Sequence, residues 1–226
     1  MTLTAIIPAA GTGSRMGAAK QYMELAGKPL LDWTLSAISD SDWVDGIILV
    51  VPSGDAEKIR EKYLDSPFFK KVRSVVAGGA TRADSVHNGV AAAVTDYVLI
   101  HDAARPFVSR ELLAKTVAAA RLHGAATAAT LVRDTVKVRE GEMLGGLADR
   151  DSLLLIQTPQ VFKRADLLAA YEIVGARRRD LTDETTLVQA AGYGVAWVEG
   201  EATNMKVTTP DDLRLAELIA SYMTGL

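Results

Sequence analysis

Short apolar runs alternate with segments of helical pattern along the chain. Leu3 to Ile7, Gly46 to Val51, Val72 to Val76 and Tyr97 to Ile100 read as strands. Pro29 to Ser39, Ala56 to Leu64, Arg82 to Val94 and Glu111 to His123 read as the helices between and after them. Strand runs with apolar residues on both faces are covered from both sides, so this β-α-β-α rhythm predicts an α/β fold with a mostly parallel sheet flanked by helices. Ligands of such sheets collect outside the carboxyl ends of the strands. Ala9 to Lys20, Ala77 to Ser85 and His101 to Pro106 follow the first, third and fourth strands and are expected to converge on one edge.

The pattern changes after Val132. Val136-Lys-Val-Arg139, followed by Gly141, Gly145 and Gly146, predicts an extended hairpin, an arm over about residues 132–152 with few apolar anchors. A two-stranded ribbon is marginal alone, so the arm is expected to pack on something. A second copy of the chain is the natural candidate, and a long surface loop is the alternative. Beyond the arm, Ala165 to Val174, Glu184 to Ala191 and Asp211 to Tyr222 read as helices, and Val195 to Val198 as a strand.

Composition narrows the function classes. With 226 residues, 49% of them hydrophobic, one domain over residues 1–226 is expected, without internal repeat or linker. The net charge of −3 gives no field to gather nucleic acid or an anionic membrane, so any anion must be bound locally. The absence of cysteine excludes disulfides, a thiolate nucleophile and cysteine-ligated zinc. Met1 to Pro8 lacks a basic leader, and no later run approaches ~18 apolar residues, so a cytoplasmic location is expected.

The candidate chemistry sits in the loops. Pro8-Ala-Ala-Gly11-Thr-Gly13-Ser-Arg15-Met16-Gly17-Ala-Ala-Lys20 combines glycines with two cations, which suits a nucleotide triphosphate: glycine lets backbone N–H groups approach phosphate oxygens. The spacing fits neither the dinucleotide fingerprint, which Met16 breaks, nor a Walker loop, which needs Gly-Lys-Ser/Thr. Gly78, Gly79 and Ser85 offer a second grip for a base or ribose, with helix capping by Thr81 or Ser85 the alternative, and Arg82 reads equally as an exposed charge. Asp102 stands at a strand end, either as a metal or ligand contact or as a brace for Arg105. Lys206 precedes a helix start at Thr209-Pro210 and is expected to point into the same cleft. Thr182 is either a cap or a ligand contact, and Arg150 alone reads as a surface charge.

Taken together, Pro8-Ala-Ala-Gly-x-Gly-x-Arg15-Met, Lys20-Gln-Tyr, Gly78-Gly-x-x-Arg82-x-x-Ser85-Val, His101-Asp-Ala-Ala-Arg105-Pro, Val132-Arg-Asp-Thr135, Thr158-Pro-Gln, Thr182-Asp-Glu and Asn204-Met-Lys206-Val-Thr closely resemble the 2-C-methyl-D-erythritol 4-phosphate cytidylyltransferase family. The resemblance runs nearly end to end; Ala19 departs from it where many members carry proline. It implies a Rossmann-like nucleotidyltransferase fold with a protruding β-arm. It also implies transfer of CMP from CTP to 2-C-methyl-D-erythritol 4-phosphate, release of pyrophosphate, a magnesium requirement and a homodimer. Carried onto matching positions, Arg15 and Lys20 stabilise the transition state, while Arg150 and Lys206 hold the attacking phosphate. Ala9, Ala10, Gly11, Gly79 and Ser85 contact the nucleotide, Asp102 contacts the ribose, metal or alcohol region and is the candidate metal ligand, and Arg105 binds substrate. Thr135 and Thr182 assist the acceptor, and the arm brings Thr135 and Arg150 to the partner's site. Ribitol 5-phosphate as acceptor, or a silent nucleotide-binding module, are the rival readings.

Overall fold

The structure, a computed structural model, describes residues 2–11, 22–64, 66–175 and 181–225. In chain order the elements are β1 (Leu3–Pro8), β2 (Glu24–Leu25), β3 (Lys28–Pro29), α1 (Leu30–Ser39), β4 (Gly46–Val51), α2 (Ala56–Tyr63), β5 (Val72–Ala77), α3 (Arg82–Ala92) and β6 (Tyr97–Ile100). There follow α4 (Arg110–His123), β7 (Ala125–Leu131), β8 (Val136–Glu140), β9 (Met143–Ala148), β10 (Leu154–Lys163), α5 (Arg164–Val174), α6 (Glu184–Ala190), β11 (Ala196–Glu199) and α7 (Pro210–Thr224).

Seven strands form the main sheet in the order β11-β7-β10-β6-β1-β4-β5. All run parallel except β10, which is antiparallel to both neighbours. Successive side chains alternate between two cores, as the period of a strand demands. Ala5, Ile7, Leu49, Val51 and Leu99 pack on one face, and Ile6, Ile48, Val50, Val98 and Ile100 on the other. The second face receives α3 closely: a Cβ on Gly89 would lie 2.5 Å from Ile6 Cγ2 and 2.9 Å from Val50 Cγ2. From β1 the chain winds outward through β4 and β5, then returns to place β6 on the other side of β1. The crevice between β1 and β6 is therefore the switch point at which a ligand site is expected.

Two strands of the main sheet, β7 and β10, are absent from the sequence reading. The first is alanine-rich, Ala-Ala-Thr-Ala-Ala-Thr-Leu, and alanine disfavours strands. The second carries Gln157, Thr158, Pro159 and Gln160 in its middle, and its pairing with β7 is interrupted between Ile156 and Gln160, where Pro159 has no N–H to donate. The expected helix at Arg82 to Val94 ends at Ala92, and Val94 is exposed. The arm is present as β8 paired antiparallel with β9, and Val138, Met143, Leu144 and Leu147 expose their side chains.

A third cluster fixes the segment that carries Lys206. Val207 packs with Leu25, Leu30, Ala104, Phe107 and Ala216, and its N–H donates to the Ala104 carbonyl at 2.9 Å. Thr209 caps α7 through a capping box with Asp212, with Pro210 at the first helical position, as its sequence suggests.

Candidate active site

A cleft of about 340 Å³ opens at the carboxyl ends of β1 and β6. Pro8 to Gly11, Gly79 to Arg82, Ser85, Asp102 to Ala104 and Lys206 line it. A second cavity of about 260 Å³ adjoins it, lined by Arg105, Gln157, Thr158, Gln160, Thr182 and Asp183 among others. The described residues that border both are Arg82, Asp102 and Lys206.

The turn after β5 is shaped by local hydrogen bonds. The Thr81 hydroxyl accepts from the Asp84 N–H at 3.1 Å and so caps α3. Ser85 Oγ accepts from the Gly79 N–H at 3.1 Å and donates to the Thr81 carbonyl at 2.9 Å. Both glycines are needed. A Cβ on Gly78 would sit 2.5 Å from Ala10 Cβ, and one on Gly79 would collide with Asp84. This turn and the loop after β1 are thereby pressed together, leaving main-chain groups along one cleft wall.

Opposite that wall stands Asp102. Its Oδ2 lies 2.8 Å from Lys206 Nζ and 3.5 Å from Arg105 Nε, and its Oδ1 lies 3.4 Å from Arg82 Nη2. Burial alone raises the pKa of this carboxyl, but the facing Arg82, Lys206 and Arg105 outweigh it and hold Asp102 well below the usual carboxylate range. Arg82 Nη1 in turn donates to both oxygens of buried Glu184, at 2.9 and 3.1 Å. Arg105 Nη1 donates to the Asn204 carbonyl at 2.7 Å, while Asn204 Nδ2 donates to Gln157 Oε1 at 2.9 Å and to the Thr158 carbonyl at 2.8 Å. The polar middle of β10 thus ties the Lys206 segment to the Asp102 loop.

His101 has no cleft exposure and serves that loop. Its Nε2 lies 3.0 Å from the Arg105 carbonyl, which accepts only, so the proton is assigned to Nε2. Nδ1 then accepts from the Thr158 hydroxyl at 3.1 Å, and Thr158 Oγ1 accepts from the Asp102 N–H at 3.0 Å. Burial pushes the His101 pKa down from 6.5 to about 4. The unfolded chain therefore takes up this proton first, and the contribution of neutral His101 is complete above pH 6.5 and lost as pH falls toward 4. The expected loss is about 3 kcal/mol. Urea unfolding across this window is expected to show that slope in the wild type and not in His101→Gln; parallel slopes would refute it.

Several expected site residues gather here. Ala9, Ala10, Gly11, Gly79, Ser85, Asp102 and Lys206 line the first cavity, and Arg105 and Thr182 the second. Thr182 does not cap α6: Asp183 does, accepting from the Thr186 N–H at 3.0 Å, and Thr182 faces the second cavity. Asp102 braces Arg105 and also lines the cleft. Arg15 and Lys20 lie outside the described residues. Thr135 and Arg150 stand on the arm and line neither cavity of their own chain; Arg150 is exposed, and its Nη1 donates to the Arg133 carbonyl at 2.8 Å. Sequence reasoning left Arg82 open as an exposed charge and gave Glu184 no role of its own; the two are 102 residues apart and carry no shared local signal. It also missed Gln157 and gave no role to Gln160, quoted only within Thr158-Pro-Gln, because both lie in an unread strand.

A switch-point cleft walled by the loop after β1 and a glycine turn, with cations at a junction of two cavities, suits the transfer of a nucleotidyl group between phosphates. The chain is an α/β nucleotidyltransferase, and solved enzymes of this class superpose on it. It matches the 2-C-methyl-D-erythritol 4-phosphate cytidylyltransferase of Thermus thermophilus with a TM-score of 0.78 and 39% identity, covering 95% of this chain and 97% of that one. The 4-diphosphocytidyl-2C-methyl-D-erythritol synthase of Anaerococcus prevotii gives a TM-score of 0.83 at 36% identity, over 97% and 96% of the two chains. A Geobacter metallireducens 2-C-methyl-D-erythritol 4-phosphate cytidylyltransferase is 43% identical over 224 residues, 96% of this chain and 97% of that one. The 2-C-methyl-D-erythritol 4-phosphate cytidylyltransferase family model matches residues 3–222, and the chain belongs to this family.

Proposed function

We infer that the two adjoining cavities carry out the family's reaction, transfer of CMP from CTP to 2-C-methyl-D-erythritol 4-phosphate in the non-mevalonate route to isoprenoid precursors. The observation that carries this reading is the shared border of Arg82, Asp102 and Lys206. The first cavity takes CTP against Ala9, Ala10, Gly11, Gly79 and Ser85, and the second takes the acceptor beside Arg105 and Thr182. An oxygen of the acceptor phosphate attacks the α-phosphorus of CTP. A new P–O–P linkage forms, the α–β bridge breaks, and its electron pair leaves on pyrophosphate.

A phosphate monoester has a second pKa of about 6 and is already anionic at neutral pH, so no nucleophile-activating base is needed. The barrier lies in bringing two anions together, and the protein's contribution is alignment and fixed positive charge. By their match to the family's motifs, Lys206 and Arg150 hold the attacking phosphate, while Arg15 and Lys20 stabilise the transition state on the triphosphate. Among the described residues no three His, Cys, Asp or Glu side chains group as a metal cage. The ionised Asp102 carboxylate fits a magnesium ion carried in by the triphosphate, because magnesium takes few protein oxygens. When bound, that ion neutralises phosphate charge.

The arm supports a homodimer. Its exposed Val138, Met143, Leu144 and Leu147 need a covering surface, and Thr135 and Arg150 line neither cavity of their own chain. In a dimer with exchanged arms they complete the partner's site. A cytoplasmic location follows from substrates that are charged phosphates. Pyrophosphate release measured for CTP, ATP, GTP and UTP, each with methylerythritol phosphate or ribitol 5-phosphate, tests the reaction. Release is expected with CTP and methylerythritol phosphate; release with ribitol 5-phosphate alone overturns the acceptor, and no release in any pair overturns the enzyme reading.

A further inference from the structure

We infer that Arg82 contacts substrate at the junction of the two cavities, donating to the phosphoryl oxygens between attacking and α-phosphate, and that buried Glu184 is the positioning residue that holds it there. This rests on the reading that these cavities take CTP and the phosphorylated acceptor.

The arrangement is asymmetric. Arg82 is the first residue of α3, held by the Thr81 cap at the end of the glycine turn, and Glu184 is the first residue of α6, held by the Asp183 cap. The Glu184 side chain is 2% exposed, whereas that of Arg82 is 33% exposed and borders both cavities. One guanidinium nitrogen, Nη1, is committed to both Glu184 oxygens, while the other, Nη2, leans at 3.4 Å toward Asp102 on the cleft wall. Asp102 is already shared with Lys206 and Arg105, so its hold on Nη2 is the longest of the Arg82 contacts and the one an incoming phosphate oxygen can replace.

Stability is a poor reason for such a pair. Withdrawing a carboxylate from water costs about as much as the attraction returns, and apolar side chains of similar volume commonly do as well. Geometry is the better reason, because a guanidinium pinned through one nitrogen presents its remaining donors in a fixed plane suited to phosphate oxygens. A lysine cannot bridge Glu184 and Asp102 in this way: it carries a point charge on one nitrogen. No bond made or broken in the transfer changes; Arg82 adds a donor where charge accumulates.

Steady-state kinetics of the full-length protein with CTP and methylerythritol phosphate, alongside melting curves, test this. Arg82→Lys is expected to lower kcat about 10²-fold with the melting temperature little changed. Glu184→Gln, which keeps the shape and removes the charge, is expected to lower kcat about tenfold through misplacement. The double variant is expected to match Arg82→Lys alone, since Glu184 acts through Arg82. Added guanidinium is expected to restore part of the turnover of Arg82→Ala. That rescue decides the matter if Glu184→Gln fails to fold, because a structural role would not respond to it. Normal kinetics in folded Arg82→Lys, additive losses in the double variant, or no rescue would overturn the inference. Wild type releasing no pyrophosphate sinks the proposed reaction and this inference together, whereas active wild type with unaffected Arg82 variants sinks this inference alone.

Discussion

Lys206→Ala is expected to cut turnover by about 10²- to 10³-fold, the cost of removing one fixed donor from a site of developing charge. Its ammonium lies 2.8 Å from Asp102, on the border of both cavities, on a segment held by the Val207 hydrogen bond to Ala104. The KM for the acceptor phosphate should rise while that for CTP changes little. Folding should barely respond: the Lys206 side chain is 36% exposed, and Asp102 keeps Arg82 and Arg105. A stability change under about 1 kcal/mol is expected. Turnover within a few-fold of wild type in the folded variant rejects this role. The same variant tests the arm. Mixed with inactive Arg150→Ala, it is expected to form, in the proposed exchanged-arm dimer, pairs in which one site carries both lesions and the other neither. Random pairing then restores activity to about a quarter of wild type, and a mixture as dead as its components would show that Arg150 does not serve a partner's site.

The part of the sheet that was legible from sequence is the part built by local rules. β1, β4 and β6 are short, largely apolar runs buried on both faces, β5 is a partly exposed edge strand, and each is followed by a turn, so their positions and the convergence of their carboxyl ends could be read directly. β10 was not, and the reason is functional. Gln157, Thr158 and Gln160 replace apolar residues in a central strand because they line the second cavity and tie Asn204, His101 and Asp102 together. A site built into a strand erases the pattern that would reveal the strand. Arg82 shows the other limit. Its environment is set by Glu184 and Asp102, which reach it only through the tertiary fold, so from sequence it was indistinguishable from a solvated charge. Asp102 and Lys206 were readable because strand-end and helix-entry positions already pointed to one cleft.

Asp102→Asn is expected to damage folding and turnover together. The substitution keeps the shape and the N–H donation to Thr158 but removes the one negative charge that Arg82, Arg105 and Lys206 share. Arg105 is itself buried, so it is left without a carboxylate inside the protein. Breaking a buried pair from one side typically costs about 3–5 kcal/mol, a fall in melting temperature of roughly 10 °C for a chain of this size. The pH dependence has a definite sign. The Asp102 carboxyl is held below its ordinary 3.8, so its contribution is complete above that pH and lost as pH falls through its lower folded value. The gap between wild type and Asn variant should therefore be constant near neutrality and close only in strong acid. An anion supplied from outside should partly replace the missing charge, so inorganic pyrophosphate is expected to raise the melting temperature of the variant more than that of the wild type. An Asn variant as stable as wild type at pH 7, with no greater response to pyrophosphate, would mean that the three cations tolerate one another without the carboxylate, and that Asp102 does not balance the charge of the cleft.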